Sequence, residues 1–242
     1  MESFLDRSKD ADLDQLVKEL SARSRGRRRR SMRLLAWKLT ISGSYAIKRF
    51  ADIIVSGLGM LVLSPVFIGI AVAVKLSSPG PVIFSQIRVG RYGRHFKFYK
   101  VRSMRQDAEA AKEELLAQNE SKDGVIFKMK DDPRITKVGK FLRRTSMDEL
   151  PQLWNVFIGD MSLVGPRPPV PKEVQEYTLE DRKRLDVIPG ITCLWQVNGR
   201  SEIPFNEQVR LDKKYILTPG LWKDLLILLK TIPAIIGGRG AY

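Results

Sequence analysis

The sequence has one cysteine, Cys193, and one histidine, His95, in 242 residues. A single cysteine closes no intrachain disulfide and builds no zinc knuckle. A single histidine excludes a His-rich metal site and leaves His95 as the sole route to a Ser-His-Asp arrangement. The unpaired thiol fits a reducing compartment such as a cytosol. Acidic residues are scarce too: 27 Asp and Glu stand against 42 Lys and Arg, a formal net charge of +15. Such an excess calls for an anionic partner, whether nucleic acid, an anionic membrane or a phosphorylated substrate. The first stretch of chain is acidic and polar without an apolar h-region, so no cleavable signal peptide is expected. There is no internal repeat. What remains for chemistry is carboxylates, Arg, Lys and a hard cation. With 43% hydrophobic residues the chain is not disordered as a whole, and its length suits one substantial domain with extensions.

Three regions follow from composition: a basic N-terminal arm over 1–44, an apolar helical region over 45–76, and a mixed region over 77–242. In the arm, Leu13, Leu16, Val17 and Leu20 have the spacing of a short amphipathic helix, and a run from Arg23 to Arg30 follows. That run reads as a solvated tail or as a tether to anionic lipid headgroups, at about 1 kcal/mol per basic residue near the surface. Residues 51–74 carry one charge, Asp52. As a helix they would extend about 36 Å, long enough to span a bilayer. Ser64-Pro65 interrupts the middle, where proline removes a hydrogen bond and kinks the axis. Basic residues flank both ends: Lys48 and Arg49 before, Lys75, Arg88, Arg91 and Arg94 after. The positive-inside rule then places both ends in the cytoplasm, which a helix entering one leaflet and turning back at Ser64-Pro65 satisfies; a kinked transmembrane helix is the alternative.

Beyond a stiff Ser77–Pro81 turn, residues 82–89 and 95–101 read as a β-hairpin around Gly90 and Gly93. Helices are expected over 105–118, 150–158, 173–185 and 221–236; the last lies in the membrane interface with Trp222 at headgroup depth, or in the core. The expected fold class is α+β: mainly helical, with a kinked helix that re-enters the membrane or spans it, a small hairpin and amphipathic helices at the interface or in the core.

Asp148 and Glu149 open a helix, where Ser146 and Glu149 have capping-box spacing or Asp148 itself is the cap with Pro151 in the first turn. Acidic residues there ordinarily serve the helix dipole, and phosphates bind at the same place. Side chains at i and i+1 of a helix do not face each other, which suits separate tasks. Around this pair stand four blocks joining a cation to stiff backbone: Lys100-Val-Arg102-Ser103, Asp131-Asp-Pro-Arg134, Arg143-Arg144 and Gly165-Pro-Arg167-Pro168. Each is a solvated surface or, if they converge, a diphosphate site in which Arg matches phosphate oxygens bidentately and Mg²⁺ joins the carboxylates. Gln196, Asn198 and Arg200 follow Pro189-Gly190 as a pocket wall or a turn.

In these blocks the sequence resembles the small monotopic phosphoglycosyl transferases, or bacterial sugar transferases. The similarity runs in order over roughly 45–242: Ser64-Pro65, Ser78–Pro81, Gln86 with Arg88 and Gly90, Lys100–Met104, Asp132–Thr136, Arg143–Gln152, Gly159–Pro168 and Pro189–Arg200. The resemblance implies a re-entrant Ser-Pro helix in the bacterial inner membrane with the catalytic region on the cytoplasmic face. It implies that Asp148 attacks the β-phosphorus of a UDP-sugar, forms a phosphosugar-aspartyl intermediate and releases UMP, and that undecaprenyl phosphate, a polyprenyl phosphate, then takes the sugar phosphate. Glu149 assists by handling a proton or positioning the metal, Mg²⁺ sits at Asp148, and Arg143 and Arg167 lie near the substrate phosphates. Glucose or galactose is the expected sugar, exopolysaccharide, capsule or O-antigen synthesis the expected setting. Direct attack by the lipid phosphate, or a non-catalytic membrane scaffold, are the alternatives. Cys193 replaces a glycine frequent in the family. Anionic lipids are expected partners and a homodimer is compatible; nucleic acid is not expected, because aromatic and basic residues do not alternate as a stacking platform.

Overall fold

The computed structural model describes residues 43–108, 110–115, 129 and 132–237. The chain divides into two compact units, Met1–Ile47 and Lys48–Tyr242. The amphipathic helix and basic run expected in the N-terminal arm lie outside the described residues.

The apolar region forms two helices, α1 (Gly43–Val62) and α2 (Ser64–Ser77), set at 60° to each other. The break has the expected cause. Pro65 occupies the first turn of α2, where its missing N–H costs nothing. Ser64 Oγ donates to the Leu61 carbonyl at 2.8 Å, satisfying an acceptor at the bend. Among the described residues no single helix is long and apolar enough to cross a membrane, although the bent pair passes on length and composition together. Much of the pair's apolar surface is uncovered, including Leu58, Leu61, Val62, Ile68 and Leu76.

The basic residues at the start of this region do more than mark a flank. Arg49 donates to the Val156 and Phe157 carbonyls at 2.5 and 2.7 Å, closing the C-terminal end of α5 (Gln152–Ile158), where cations are favoured. Lys48 pairs with buried Asp224 and donates to the Val164 carbonyl. Asp52, also buried, accepts from Leu163 N. The charges of α1 thus tie it to α5, to the Leu163–Val164 segment and to Asp224.

The hairpin pairs β1 (Ile83–Val89) with β2 (His95–Val101), antiparallel and in the register Ile83 to Val101 through Val89 to His95. Alternation along β2 turns Phe96 and Phe98 into a core shared with Val156, Met161, Leu163, Val164, Tyr215 and Ile227. A second two-stranded sheet, parallel, joins β3 (Ser162–Val164) to β4 (Gly190–Thr192). It required a close approach that only glycine permits: a Cβ on Gly190 would lie 2.0 Å from Gly165 N.

The remaining helices are α3 (Ala110–Leu115), α4 (Lys137–Arg144), α6 (Pro171–Gln175), α7 (Leu179–Arg182), α8 (Leu194–Asn198), α9 (Phe205–Leu217) and α10 (Leu221–Gly237). The single helix expected over 173–185 is two short helices and a 3-10 segment (Lys183–Asp186). Thr178 breaks it, because its hydroxyl accepts from Asp181 N while Asp181 accepts from Thr178 N, starting a new helix. Only 110–115 of the expected 105–118 helix is described as helical. In α10, Ile227 and Asp224 are buried whereas Trp222, Leu225, Leu226, Leu229 and Ile232 are exposed, so core packing and an uncovered apolar face coexist on one helix.

One residue fixes α5 against the hairpin. Asn155, with no exposed surface, accepts from Tyr99 N at 3.2 Å and donates to the Lys97 carbonyl at 2.7 Å. Asn155→Ala removes both bonds and leaves two part-buried β2 backbone groups without that partner, a cost of about 1–3 kcal/mol because water reaches both in part. Chemical denaturation should show that loss as a lower midpoint with an unchanged slope.

Candidate active site

The chain between α4 and α5 does not cap a helix as its spacing suggests. Ser146 takes a left-handed conformation with φ of 55° and makes no side-chain cap. Met147–Glu149 is a 3-10 turn, and Pro151 stands at the N-cap of α5 rather than inside it. The carboxylates, released from capping, turn toward the hairpin. Asp148 is 5% exposed. Its Oδ2 lies 3.2 Å from Lys100 Nζ, and Glu149 Oε1 lies 2.9 Å from the same ammonium. Helix geometry had set the two side chains apart; the 3-10 turn brings both to one cation.

Further cations surround the pair unequally. Arg167 Nη1 is 3.8 Å from Glu149 Oε1. Burial pushes the Glu149 carboxyl up, but Lys100, Arg167 and Arg200 more than offset it and hold the group below the usual carboxylate range. Glu149 is therefore a poor proton acceptor and a durable negative charge. Arg143 serves the other side. Its charge is stabilised first by Asp148 and then by Asp132, although burial lowers it overall, and its Nε donates to Ser103 Oγ at 2.9 Å.

Ser103 is placed by a glycine in α4. A Cβ on Gly139 would meet the Ser103 carbonyl oxygen at 1.9 Å, and that oxygen accepts from Thr136 N at 3.1 Å. Gly139→Ala must push this backbone away. We expect a stability loss of about 1–3 kcal/mol from overpacking, together with displacement of the Ser103–Arg143 contact, read by thermal melting.

A cleft of about 870 Å³ joins these groups. Of the residues singled out in the sequence, Lys100, Arg102, Ser103, Arg134, Arg143, Asp148, Glu149, Arg167, Gln196 and Arg200 line it. Asn198 does not; it points away and donates to the Leu194 carbonyl at 2.7 Å. Two of the arginines are engaged as scaffold. Arg102 donates to the Pro79 and Ser78 carbonyls at 2.6 and 2.7 Å, fastening the end of α2 to the hairpin. Arg134 holds Asp132 with two bonds of 2.9 and 2.6 Å. Gln196 accepts from Cys193 Sγ at 3.1 Å, and burial raises that thiol well above its ordinary pKa, so it is a packing group. His95 is exposed at the start of β2 and takes no part in the cleft. Arg88, named from the sequence as a basic flank and a motif residue but given no place in the site, also lines the cleft, where Arg167 is the charge that acts on it most strongly.

Among the described residues no group of three or more His, Cys, Asp or Glu side chains converges to cage a metal. Asp148 and Glu149 nevertheless fit a hard cation of the Mg²⁺ type, which is commonly held by one or two carboxylates and completed by substrate phosphates and water.

Residues 43–238 match the description of the bacterial sugar transferases. The chain belongs to that family. Among similar members, the galactosyl transferase CpsE of Streptococcus agalactiae serotype III is 50% identical over 80% of this chain and 43% of its own length. The UDP-glucose:undecaprenyl-phosphate glucose-1-phosphate transferase of Escherichia coli K12 is 42% identical over 81% of this chain and 41% of its own. The exopolysaccharide production protein ExoY of Rhizobium meliloti is 38% identical over 81% of this chain and 88% of its own. The chain thus spans less than half the length of several relatives and most of the length of others.

Proposed function

We propose that this sugar transferase moves a hexose 1-phosphate from a UDP-sugar to undecaprenyl phosphate, with Asp148 as nucleophile. The observation that carries the reading is the buried Asp148 carboxylate, held by Lys100 in a cleft lined with arginine. An Asp Oδ–phosphorus bond forms at the sugar-bearing phosphate while the bond to the bridging oxygen breaks, and the electron pair leaves on UMP. An oxygen of the lipid phosphate then bonds to that phosphorus, the Asp Oδ–phosphorus bond breaks, and the carboxylate is restored. The lipid phosphate is largely dianionic at neutral pH, since a phosphomonoester has its second pKa near 6. No strong base is needed, which suits Glu149 as a fixed charge orienting Lys100. Mg²⁺, held by Asp148 and Glu149 with the substrate phosphates, would neutralise the diphosphate. Lys100, Arg143 and Arg167 orient the phosphates, while the Arg102 and Arg134 anchors keep the walls in place.

Relatives named for galactose and for glucose transfer both match this chain, so a hexose of that kind is the proposed cargo. The bend at Ser64-Pro65, the uncovered apolar residues of α1 and α2 and the exposed face of α10 support a monotopic placement, in which the bent pair enters one leaflet of the bacterial inner membrane and returns to the cytoplasmic face. Anionic headgroups would then meet the basic surface, in exopolysaccharide or related glycan synthesis.

The test incubates purified protein with UDP-[¹⁴C]galactose or UDP-[¹⁴C]glucose, Mg²⁺ and undecaprenyl phosphate. Label should pass to the lipid fraction as an acid-labile diphosphate, one sugar should be preferred, and EDTA should stop transfer. No labelled lipid with either sugar would sink the reading.

A further inference from the structure

Arg88 sits near the end of β1 with one face of its guanidinium over the Phe98 ring, 5.2 Å from the centroid. Its Nη1 donates to the Pro168 carbonyl at 3.0 Å. Its Nε is buried with no hydrogen-bond partner. The side chain lines the cleft, and the charge acting on it most strongly is Arg167, of like sign. Burial and that neighbour bring its pKa down to about 10. A tether to Pro168 needs only one donor. The rest of the guanidinium lines the cleft under the charge of Arg167, which Glu173 and Glu149 offset only in part, an arrangement that costs free energy and that a bound anion would relieve.

The cations divide between the two carboxylates. Arg143 is stabilised by Asp148; Arg88 is stabilised by Glu173 and then by Glu149, and Arg200 by Glu149, which Arg167 also approaches. The group beside Asp148 suits the phosphoryl under attack. The group beside Glu149 is available for charge that appears elsewhere.

We propose that Arg88, together with Arg167, seats the phosphate that departs with the nucleotide. This rests on the proposed transfer. Attack by Asp148 sends the electron pair of the broken bond onto that phosphate, and preset donors there lower the barrier. Arg88 is thereby a substrate ligand as well as a brace for the Gly165–Pro168 loop, and planar pairing with Arg167 gives the seat its selectivity for phosphate.

The experiment titrates the full chain and its Arg88→Gln variant with UMP by calorimetry, and measures the KM for undecaprenyl phosphate and the melting temperature without ligand. The seat predicts UMP Kd weakened at least about tenfold, a lipid KM within about twofold of the parent, and melting unchanged or raised because like-charge repulsion is relieved. UMP binding that survives the substitution overturns it. So does a joint loss of UMP and lipid affinity with a lower melting temperature, the signature of a brace alone. If Arg88→Gln does not fold, Arg88→Lys, which keeps the charge but not the planar donor pair, is read by the same criteria. Parent protein that binds UMP through Arg88 yet transfers no sugar would refute the reaction and leave the seat standing. Parent protein that turns over while Arg88→Gln binds UMP normally would refute the seat alone.

Discussion

Asp148→Asn is expected to stop sugar-phosphate transfer while leaving the protein folded. The amide matches the carboxylate in size but offers no anionic oxygen to bond phosphorus. If Asp148 carries the covalent step, loss of turnover should reach about 10⁴-fold, as when the nucleophile of a catalytic unit is removed. Stability should change little, because the amide keeps the carboxylate's volume and Lys100 keeps its 2.9 Å contact with Glu149, so the ammonium is not left without a counter-charge. UMP release and circular dichroism, measured on one preparation, separate the two effects. A folded variant retaining a tenth of the parent's rate would require another nucleophile.

Lys100→Met is expected to be nearly as damaging, for a different reason. Among the described residues Lys100 is the one cation that pairs with both carboxylates, and its removal leaves two adjacent negative charges facing an incoming diphosphate. We expect kcat/KM for the UDP-sugar to fall about 10²–10³-fold, the scale for losing one preset electrostatic contact. A pH signature accompanies it. Lys100 leads the charges that hold Glu149 below the usual carboxylate range. A carboxylate depressed in the folded state stabilises the protein above its unfolded pKa, and that contribution disappears as pH falls through the lower folded value. Without Lys100 the folded pKa rises, so the acid side of both the stability and the activity profile should move to higher pH. An unmoved acid limb would show that Glu149 is not controlled by this contact.

Much of this site was legible because chemistry eliminated its competitors. One buried cysteine and one exposed histidine left carboxylates and cations, and the proline- and glycine-bearing motifs bracketed the acid pair. The hairpin and the Ser64-Pro65 bend were readable for the same reason: alternation and proline sterics are local. What escaped was tertiary. The spacing of Ser146, Asp148 and Glu149 matches a helix cap, and nothing local announces that Ser146 turns left-handed and delivers both carboxylates to Lys100, whose strand is remote in sequence. Arg102 and Arg134 look like free phosphate ligands until the Ser78 and Pro79 carbonyls and Asp132 are seen to occupy them. Arg49 reads as a membrane flank, yet it closes α5. Arg88 likewise reads as a basic flank and a motif residue, and only the packed hairpin brings it into the cleft under the charge of Arg167. Apart from the Ser146 turn and Arg134, which pairs with Asp132 two residues away, these differences arise where a long polar side chain meets a partner far along the chain, which periodicity does not encode.

The central claim is that Asp148 becomes covalently bonded to the sugar phosphate. Intact-mass spectrometry of the protein, quenched in acid after mixing with UDP-sugar and Mg²⁺ in the absence of lipid, tests it most directly. The account predicts a species heavier by one hexose phosphate, mapped to Asp148, formed with stoichiometric UMP and discharged by undecaprenyl phosphate. Rapid transfer on adding lipid, with UMP released only then and no adduct at any quench time, would contradict it.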